Sequence, residues 1–210
     1  MDYDLLKTRF ISSFFIIIIF LIFFIYLRGL INFLFICIYL FTFYEVYKNF
    51  TRKKIIFFLY IYLILSFLCL QLYIYLYLNI YELLFVFLII VNFDTFSYLI
   101  GASFGYKKIF KKISPNKSYL GLFGGVFFTI IIVFYLNYLF KLIEYDKFIY
   151  LIFFYIFLSF WGDVLESLFK RISLIKNSSN FIPGHGGIFD RFDSFIFCTY
   201  GLFAYNFLYQ

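Results

Sequence analysis

Charge is scarce in this sequence. Asp, Glu, Lys and Arg make up 14% of its 210 residues, against about 25% in an ordinary soluble domain. Proline occurs twice and histidine once, and alanine is confined to positions 102 and 204. Eleven glycines without a periodic repeat exclude a collagen-like chain. The three cysteines, Cys37, Cys69 and Cys198, all lie in apolar runs and share no ligand spacing. They read as small buried hydrophobes, which excludes a disulfide scaffold or a cysteine-based zinc site. What is abundant is apolar surface, with 65% hydrophobic and 29% aromatic residues. A body of 25.6 kDa cannot hide that excess, so a water-soluble fold and a disordered chain are both excluded. The wealth of Phe, Tyr, Ile, Lys and Asn follows AT-rich codons and needs no explanation from ligand stacking.

The chain therefore reads as an all-α, polytopic integral membrane protein. About 20 apolar residues span the hydrocarbon core as a helix. Runs of that kind fall near 10–27, 30–47, 55–77, 80–103, 119–140, 148–165 and 194–209, which predicts seven transmembrane helices. The runs are apolar on every face, unlike the alternating strands of a membrane barrel. No small-residue cleavage site follows the first run, so it is expected to be retained. The whole of 1–210 reads as a single membrane domain, with N-terminal helices in 1–104 and a motif-bearing half in 105–210.

The basic residues give this count a direction. With a cytoplasmic N-terminus, the inner loops hold Lys7, Arg9, Lys48, Arg52, Lys53, Lys54, Lys107, Lys108, Lys111, Lys112, Lys117, Lys170, Arg171, Lys176 and Arg191. Only Arg28, Lys141 and Lys147 fall outside, and fifteen against three is the asymmetry of the positive-inside rule. The net charge of +7 is thus a property of one membrane face, suited to anionic headgroups or a polyanionic substrate. Basic residues scattered among membrane loops give nucleic acid no continuous footprint.

Two stretches concentrate the polar chemistry. In the first, Asp94 interrupts an apolar helix, and Gly101, Gly105, Lys107, Lys108, Ser114, Pro115, Lys117 and Gly121 follow. A carboxylate at that depth either faces a polar cavity or a cation, or sits protonated near the interface. The second begins at Gly162-Asp163 and Glu166-Ser167, continues through Lys170-Arg171 and Lys176-Asn177, and ends in Pro183-Gly184-His185-Gly186-Gly187-x-x-Asp190-Arg191-x-Asp193. Asp190 and Asp193 share one helical face and could hold a divalent cation between them. The glycines permit positive φ and present backbone N–H groups to an anion. Carboxylates, a tight glycine loop and fixed cations are the parts used by metal-assisted phosphoryl chemistry.

These residues resemble the signature of the CDP-diacylglycerol synthases, or phosphatidate cytidylyltransferases. The family pattern runs S-x-x-K-R, then K-D, then P-G-H-G-G-x-x-D-R-x-D. Gly162-Asp163 with Glu166 resembles the G-D-x-x-E segment upstream, and the earlier stretch resembles D-x-x-A-Y-x-x-G and S-P-x-K-[TS]-x-x-G. Leu6-Lys7-Thr8-Arg9-Phe10-Ile11-Ser12 resembles the usual opening, while roughly 50–90 has no motif support. Asn177 stands where the family has Asp, Ser97 where it has Ala, and Leu120 where an acidic or amide residue is common. The chain is short for the family, with helix missing from its middle.

The resemblance implies that CTP and phosphatidic acid react to give CDP-diacylglycerol and pyrophosphate. It implies Mg²⁺ held by Asp163, Asp190 and Asp193, with room for a second, monovalent cation. It also implies that Lys170, Arg171, Lys176 and Arg191 hold the triphosphate and the lipid headgroup, with Lys117 added from the earlier loop. Ser167 would donate to phosphate, Gly186 and Gly187 would approach it closely, and Asp94 would shape the same cavity. His185 is left between phosphate contact, proton transfer and a structural place in the loop. The expected setting is a cell inner (plasma) membrane with the site facing the cytoplasm, and a homodimer stays open. A CTP-dependent lipid kinase, a transporter and a decayed synthase are the rival readings.

Overall fold

The computed structural model describes residue 18, residues 30–179, residue 181 and residues 186–209. The run at 10–27 apart from Ile18, the opening motif with Lys7 and Arg9, Arg28, and Pro183, Gly184 and His185 lie outside the described residues. Six helices follow in order: α1 (Ile31–Asn49), α2 (Lys53–Leu76), α3 (Ile80–Phe104), α4 (Tyr119–Phe140), α5 (Tyr145–Ile172) and α6 (Phe189–Tyr209). They correspond one for one to the last six apolar runs. Five of them, α1 to α5, are long and apolar enough to cross a bilayer. Their outer faces expose large apolar side chains such as Phe33, Leu40, Phe57, Ile64, Phe123 and Phe157, a surface compatible with lipid rather than water.

Helix α6 differs from the others. It is shorter on continuous apolar sequence, and eleven of its residues are buried. Its hydroxyls and amide are used inside the bundle. Thr199 Oγ1 donates to Ile196 O (2.7 Å) and to Ser66 O (3.3 Å), Ser66 Oγ donates to Ile196 O (3.0 Å), and Tyr39 bonds Ser66. Tyr200 OH donates to Tyr62 O at 2.6 Å. Phe35 of α1 stacks on Phe195, with ring centroids 5.1 Å apart. Helix α6 is therefore a partly polar inner helix sheathed by its neighbours, which explains why the run expected at 194–209 lacks the character of a lipid-facing span.

One segment departs from the purely helical expectation. Residues 108–118 form a small antiparallel hairpin, β1 (Lys108–Phe110) and β2 (Ser114–Ser118), with Lys108 opposite Ser118 and Phe110 opposite Ser114. Pro115 accounts for it. Proline lacks the N–H that a helix interior needs and disfavours helical geometry in the residue before it. The hairpin then hands the chain to α4 through Ser118, whose Oγ accepts the Gly121 N–H at 3.1 Å as an N-cap.

Two ends of the bundle carry different polar chemistry. At the far end, Glu82 is 2% exposed. It accepts from Asn206 Nδ2 at 2.9 and 3.1 Å, Tyr73 OH at 3.3 Å and Tyr155 OH at 3.4 Å. That network ties α2, α3, α5 and α6 together. The other end, here the loop end, collects the α1–α2 turn, the hairpin and the segment between α5 and α6. Helix α5 has 28 residues, so about 20 counted from Tyr145 reach the region of Leu165. Its last two turns thus stand near the membrane surface.

Helix α5 closes with a Schellman arrangement: Leu174 N–H donates to Arg171 O (3.1 Å) and Ile175 N–H to Lys170 O (3.0 Å). Leu174 holds φ 60°, the left-handed conformation glycine usually supplies, and its side chain is exposed. Leu174→Gly is expected to raise the thermal midpoint in detergent by about 1–4 °C, from roughly 0.5–1 kcal/mol of relieved backbone strain. Differential scanning fluorimetry against the parent checks it.

Candidate functional site

The site is built where α5 crosses α6. A Cβ added to Gly162 would stand 2.9 Å from Ser194 Cα and 3.0 Å from Asp193 O, so only glycine lets the two backbones meet there. That contact brings the residue after Gly162 beside the residue before Ser194. Asp163 and Asp193 converge, and Glu166, three residues along α5, joins them. One carboxylate oxygen from each of Asp163, Glu166 and Asp193 lies within 4.8 Å of the others. Among the described residues this is the group of acidic side chains able to hold a metal ion, and all-oxygen carboxylate donors suit a hard divalent cation.

The expected set was Asp163, Asp190 and Asp193. Asp190 is nearby but differently employed. Its Oδ1 accepts from Lys170 Nζ at 2.8 Å, and its carboxylate takes the Ser178 N–H at 3.0–3.1 Å and the Gly187 N–H at 2.8 Å. It therefore joins both arms of the glycine-containing loop to α5. Gly186, at φ 85°, makes room for it: a Cβ there would fall 2.3 Å from Asp190 Oδ2. The Gly187 N–H, expected to face a phosphate, is thus satisfied by the protein's own carboxylate. Glu166, legible in the sequence as part of G-D-x-x-E, stands with Asp163 and Asp193, and Asp190, which the resemblance placed with them, adjoins the group through the shared Lys170 ammonium.

The cations are likewise placed. Lys170 Nζ lies 2.6 Å from Glu166 and 2.8 Å from Asp190. Lys117 reaches in from β2, 2.8 Å from Asp163, donating also to Phe160 O at 3.3 Å and lying 4.4 Å from the Phe160 ring centroid. Ser167 Oγ donates to Asp163 Oδ1 at 3.3 Å, so its hydroxyl orients a carboxylate. Arg171 is exposed and ties the hairpin to the loop through Ile113 O (3.2 Å) and Ile175 O (3.3 Å). Lys176, Asn177 and Arg191 are exposed at the loop end. Asp94, also exposed on α3, stands within electrostatic reach of Asp163, Lys117 and Arg191. The packing of Ser97 and Gly101 of α3 on Gly121 and Gly125 of α4 holds Asp94 and Lys117 to this common side. His185 lies outside the described residues.

A carboxylate that spacing did not disclose completes the loop. Glu45 of α1, 3% exposed, accepts hydrogen bonds from Ser178, Ser179, Ile188 and Phe189. It lies 133 residues from Ser178 in the chain, and its one local signal is a carboxylate inside the apolar run 30–47.

Residues 49–209 match the profile of the cytidylyltransferase family. The chain belongs to that family. Similar curated relatives include phosphatidate cytidylyltransferases of Bacillus subtilis (39% identical over 125 residues) and Haemophilus influenzae (38% over 117). Another, from Staphylococcus epidermidis, is 40% identical over 119 residues. These matches cover 56%, 53% and 55% of this chain, and 45%, 41% and 45% of the respective relatives. The chain thus spans less than half the length of the curated relatives it matches. Family membership agrees with the motifs that frame the carboxylate cluster.

Closing the Gly162 contact tests how the cluster is assembled. Gly162→Ala is expected to destabilise the protein by about 1–3 kcal/mol through overpacking, lowering the thermal midpoint by several degrees. A midpoint unchanged from the parent would show that the α5–α6 crossing tolerates a side chain.

Proposed function

We propose that this protein is a phosphatidate cytidylyltransferase, converting CTP and phosphatidic acid to CDP-diacylglycerol and pyrophosphate. The observation that carries the reading is the convergence of Asp163, Glu166 and Asp193 at the cation-rich loop end. Family membership and the names of the relatives support it. In the balanced step, a phosphate oxygen of the lipid forms a bond to the α-phosphorus of CTP as the bond to the β-phosphate oxygen breaks, and pyrophosphate carries away the electron pair. The lipid monoester is already mostly ionised near neutral pH, so no general base is assigned.

The acidic residues fit a Mg²⁺ ion by their donor chemistry and by their charge. Among the described residues, the three clustered carboxylates pair with Lys117 and with Lys170, the latter shared with Asp190, an anionic all-oxygen donor set that suits a hard divalent cation. Asp163, Glu166 and Asp193 would hold it. When bound, it supplies neutralisation of the phosphate charges and of the charge on the departing pyrophosphate. A second, monovalent cation has no separate donor group in this reading.

The side chains divide the remaining work. Lys117 and Lys170 hold Asp163 and Glu166 in place, and Ser167 orients Asp163. Exposed Lys176 and Arg191 attract the triphosphate and the lipid headgroup at the mouth, with Arg suited to paired phosphate oxygens. Asp94 lines the opposite wall. The lipid tails remain in the bilayer beside α5 while the headgroup enters at the loop end. Thirteen described cations stand at that end and two, Lys141 and Lys147, at the other, which supports a multi-pass plasma-membrane setting with the loop end facing the cytoplasm. All three cluster residues come from one chain, so the reading requires no partner copy. Asn177, the departure from the family pattern, is exposed, and the three carboxylates converge without a charge at that position.

The test is turnover of labelled CTP with phosphatidic acid and Mg²⁺ by the detergent-purified protein. CDP-diacylglycerol and pyrophosphate are the expected products, and release of CDP with a phosphorylated lipid would make it a kinase. Asp193→Asn is expected to lose at least ~100-fold in turnover. Asp146→Asn, exposed at the far end, is expected to stay within about twofold. Equal losses in the two variants would remove the cluster from the mechanism.

A further inference from the structure

The carboxylate of Glu45 has a geometry that a simple buried ion pair does not. Each of its oxygens bridges the two arms of the loop between α5 and α6. Oε1 accepts from Ser179 Oγ on the entering arm at 2.7 Å and from the Ile188 N–H on the leaving arm at 2.8 Å. Oε2 accepts from Ser178 Oγ at 3.1 Å and from the Phe189 N–H at 2.9 Å. The two N–H groups belong to the start of α6, where the helix leaves amides unpaired and where a negative charge is favoured. Gly187 sits so close that an added Cβ would be 2.5 Å from Glu45 Oε2. Asp190 repeats the pattern from the other side, taking Ser178 N–H and Gly187 N–H while bonded to Lys170. The continuous chain is therefore Glu45, the two loop arms, Asp190, Lys170 and Glu166 of the acidic cluster.

We infer that Glu45 is a positioning residue for the candidate active site: it staples both arms of the Ser178–Phe189 loop to α1 and so sets where Asp190, Lys170 and the mouth of the site stand. The inference rests on the cytidylyltransferase reading for its effect on turnover, but not for the staple itself. Glu45 lies ahead of the stretch matched to the family, which starts at residue 49, so α1 contributes to the site from outside that stretch. Glutamine cannot substitute. Its NH₂ group would face a backbone N–H that has no way to accept, although the serine hydroxyls could turn round.

The experiment compares Glu45→Gln with Glu82→Gln. Both remove the charge from a nearly fully buried glutamate that joins several elements, but Glu82 lies at the opposite end of the bundle. Hydrogen exchange followed by mass spectrometry reads peptides containing residues 178–179 and 187–189, and steady-state kinetics read CTP and phosphatidic acid. Glu45→Gln is expected to speed exchange in those peptides at least tenfold and to raise KM for CTP about tenfold, with a smaller change in kcat. Glu82→Gln is expected to lower the thermal midpoint without changing either readout. Unaltered loop exchange in Glu45→Gln, or the same exchange and KM changes in both variants, would overturn the inference. If the parent protein turns over no CTP, the cytidylyltransferase reading fails on its own, and loop exchange still decides the staple.

Discussion

Like charges packed together in an apolar body are the constraint around which this molecule is arranged. Asp163, Glu166 and Asp193 lie near enough to share one ion, and removing such groups from water costs several kcal/mol each before any repulsion between them is counted. Every notable feature nearby reduces that cost. Gly162 allows the approach without a steric penalty, Lys117 and Lys170 bring positive charge at 2.8 and 2.6 Å, and the Ser167 hydroxyl satisfies a lone pair. The hairpin exists to deliver Lys117, since a continuous helix through Pro115 could not place it over Phe160 and against Asp163 at once.

Much of this was legible in the sequence because membranes impose simple rules. An apolar run of about 20 residues has few alternatives to a helix, and six of the runs are helices in the structure, four of them close to the expected limits. Helix α5 runs on to Ile172 and α6 begins at Phe189, because their motif-bearing polar turns are helical too. The cluster was half legible. Asp163 and Asp193 could be named from motif residues, but choosing between Glu166 and Asp190 as the third carboxylate depends on how α5 is rotated against α6. A backbone contact at Gly162 and Ser194 fixes that rotation, and no i, i+3 rule within one helix contains it. For Glu45 a carboxylate in an apolar run was a signal, but its partners were not legible, because they are loop donors 133–144 residues away. The hairpin was hidden for a different reason: apolar periodicity describes spans, while local turn chemistry decides what connects them.

Helix α6 shows how one element can serve both demands. Its first turn carries Asp190, Arg191 and Asp193 to the loop end, and its body carries Ser194, Thr199 and Asn206 into contact with α2, α3 and α5. In lipid those groups would be uncompensated, so the helix has to be enclosed. Enclosure in turn fixes its axial position. Hydrogen bonds at Thr199 and Asn206 prevent α6 from sliding along its neighbours, and the depth of Asp193 beside Asp163 is set from below as well as by the Gly162 crossing.

The contrast between the two buried polar networks separates architecture from chemistry. At the far end, Glu82 accepts from neutral donors of Asn206, Tyr73 and Tyr155, and Tyr73 OH and Asn206 Nδ2 also donate to the backbone at Asn79 O and Leu202 O. These donors enclose its carboxylate. At the loop end, Glu45 is closed in the same way by hydroxyls and amides, yet its donors lie on a loop that also engages Asp190. The acidic cluster beyond is charged on both sides: Asp163, Glu166 and Asp193 are met by Lys117 and Lys170, and Lys170 is shared with Asp190. Glu45 joins α1 to the loop that leads into α6, and Glu82 joins α2, α3 and α5 to the other end of the same helix, so the helix that carries Asp193 is tied at both ends by an enclosed carboxylate.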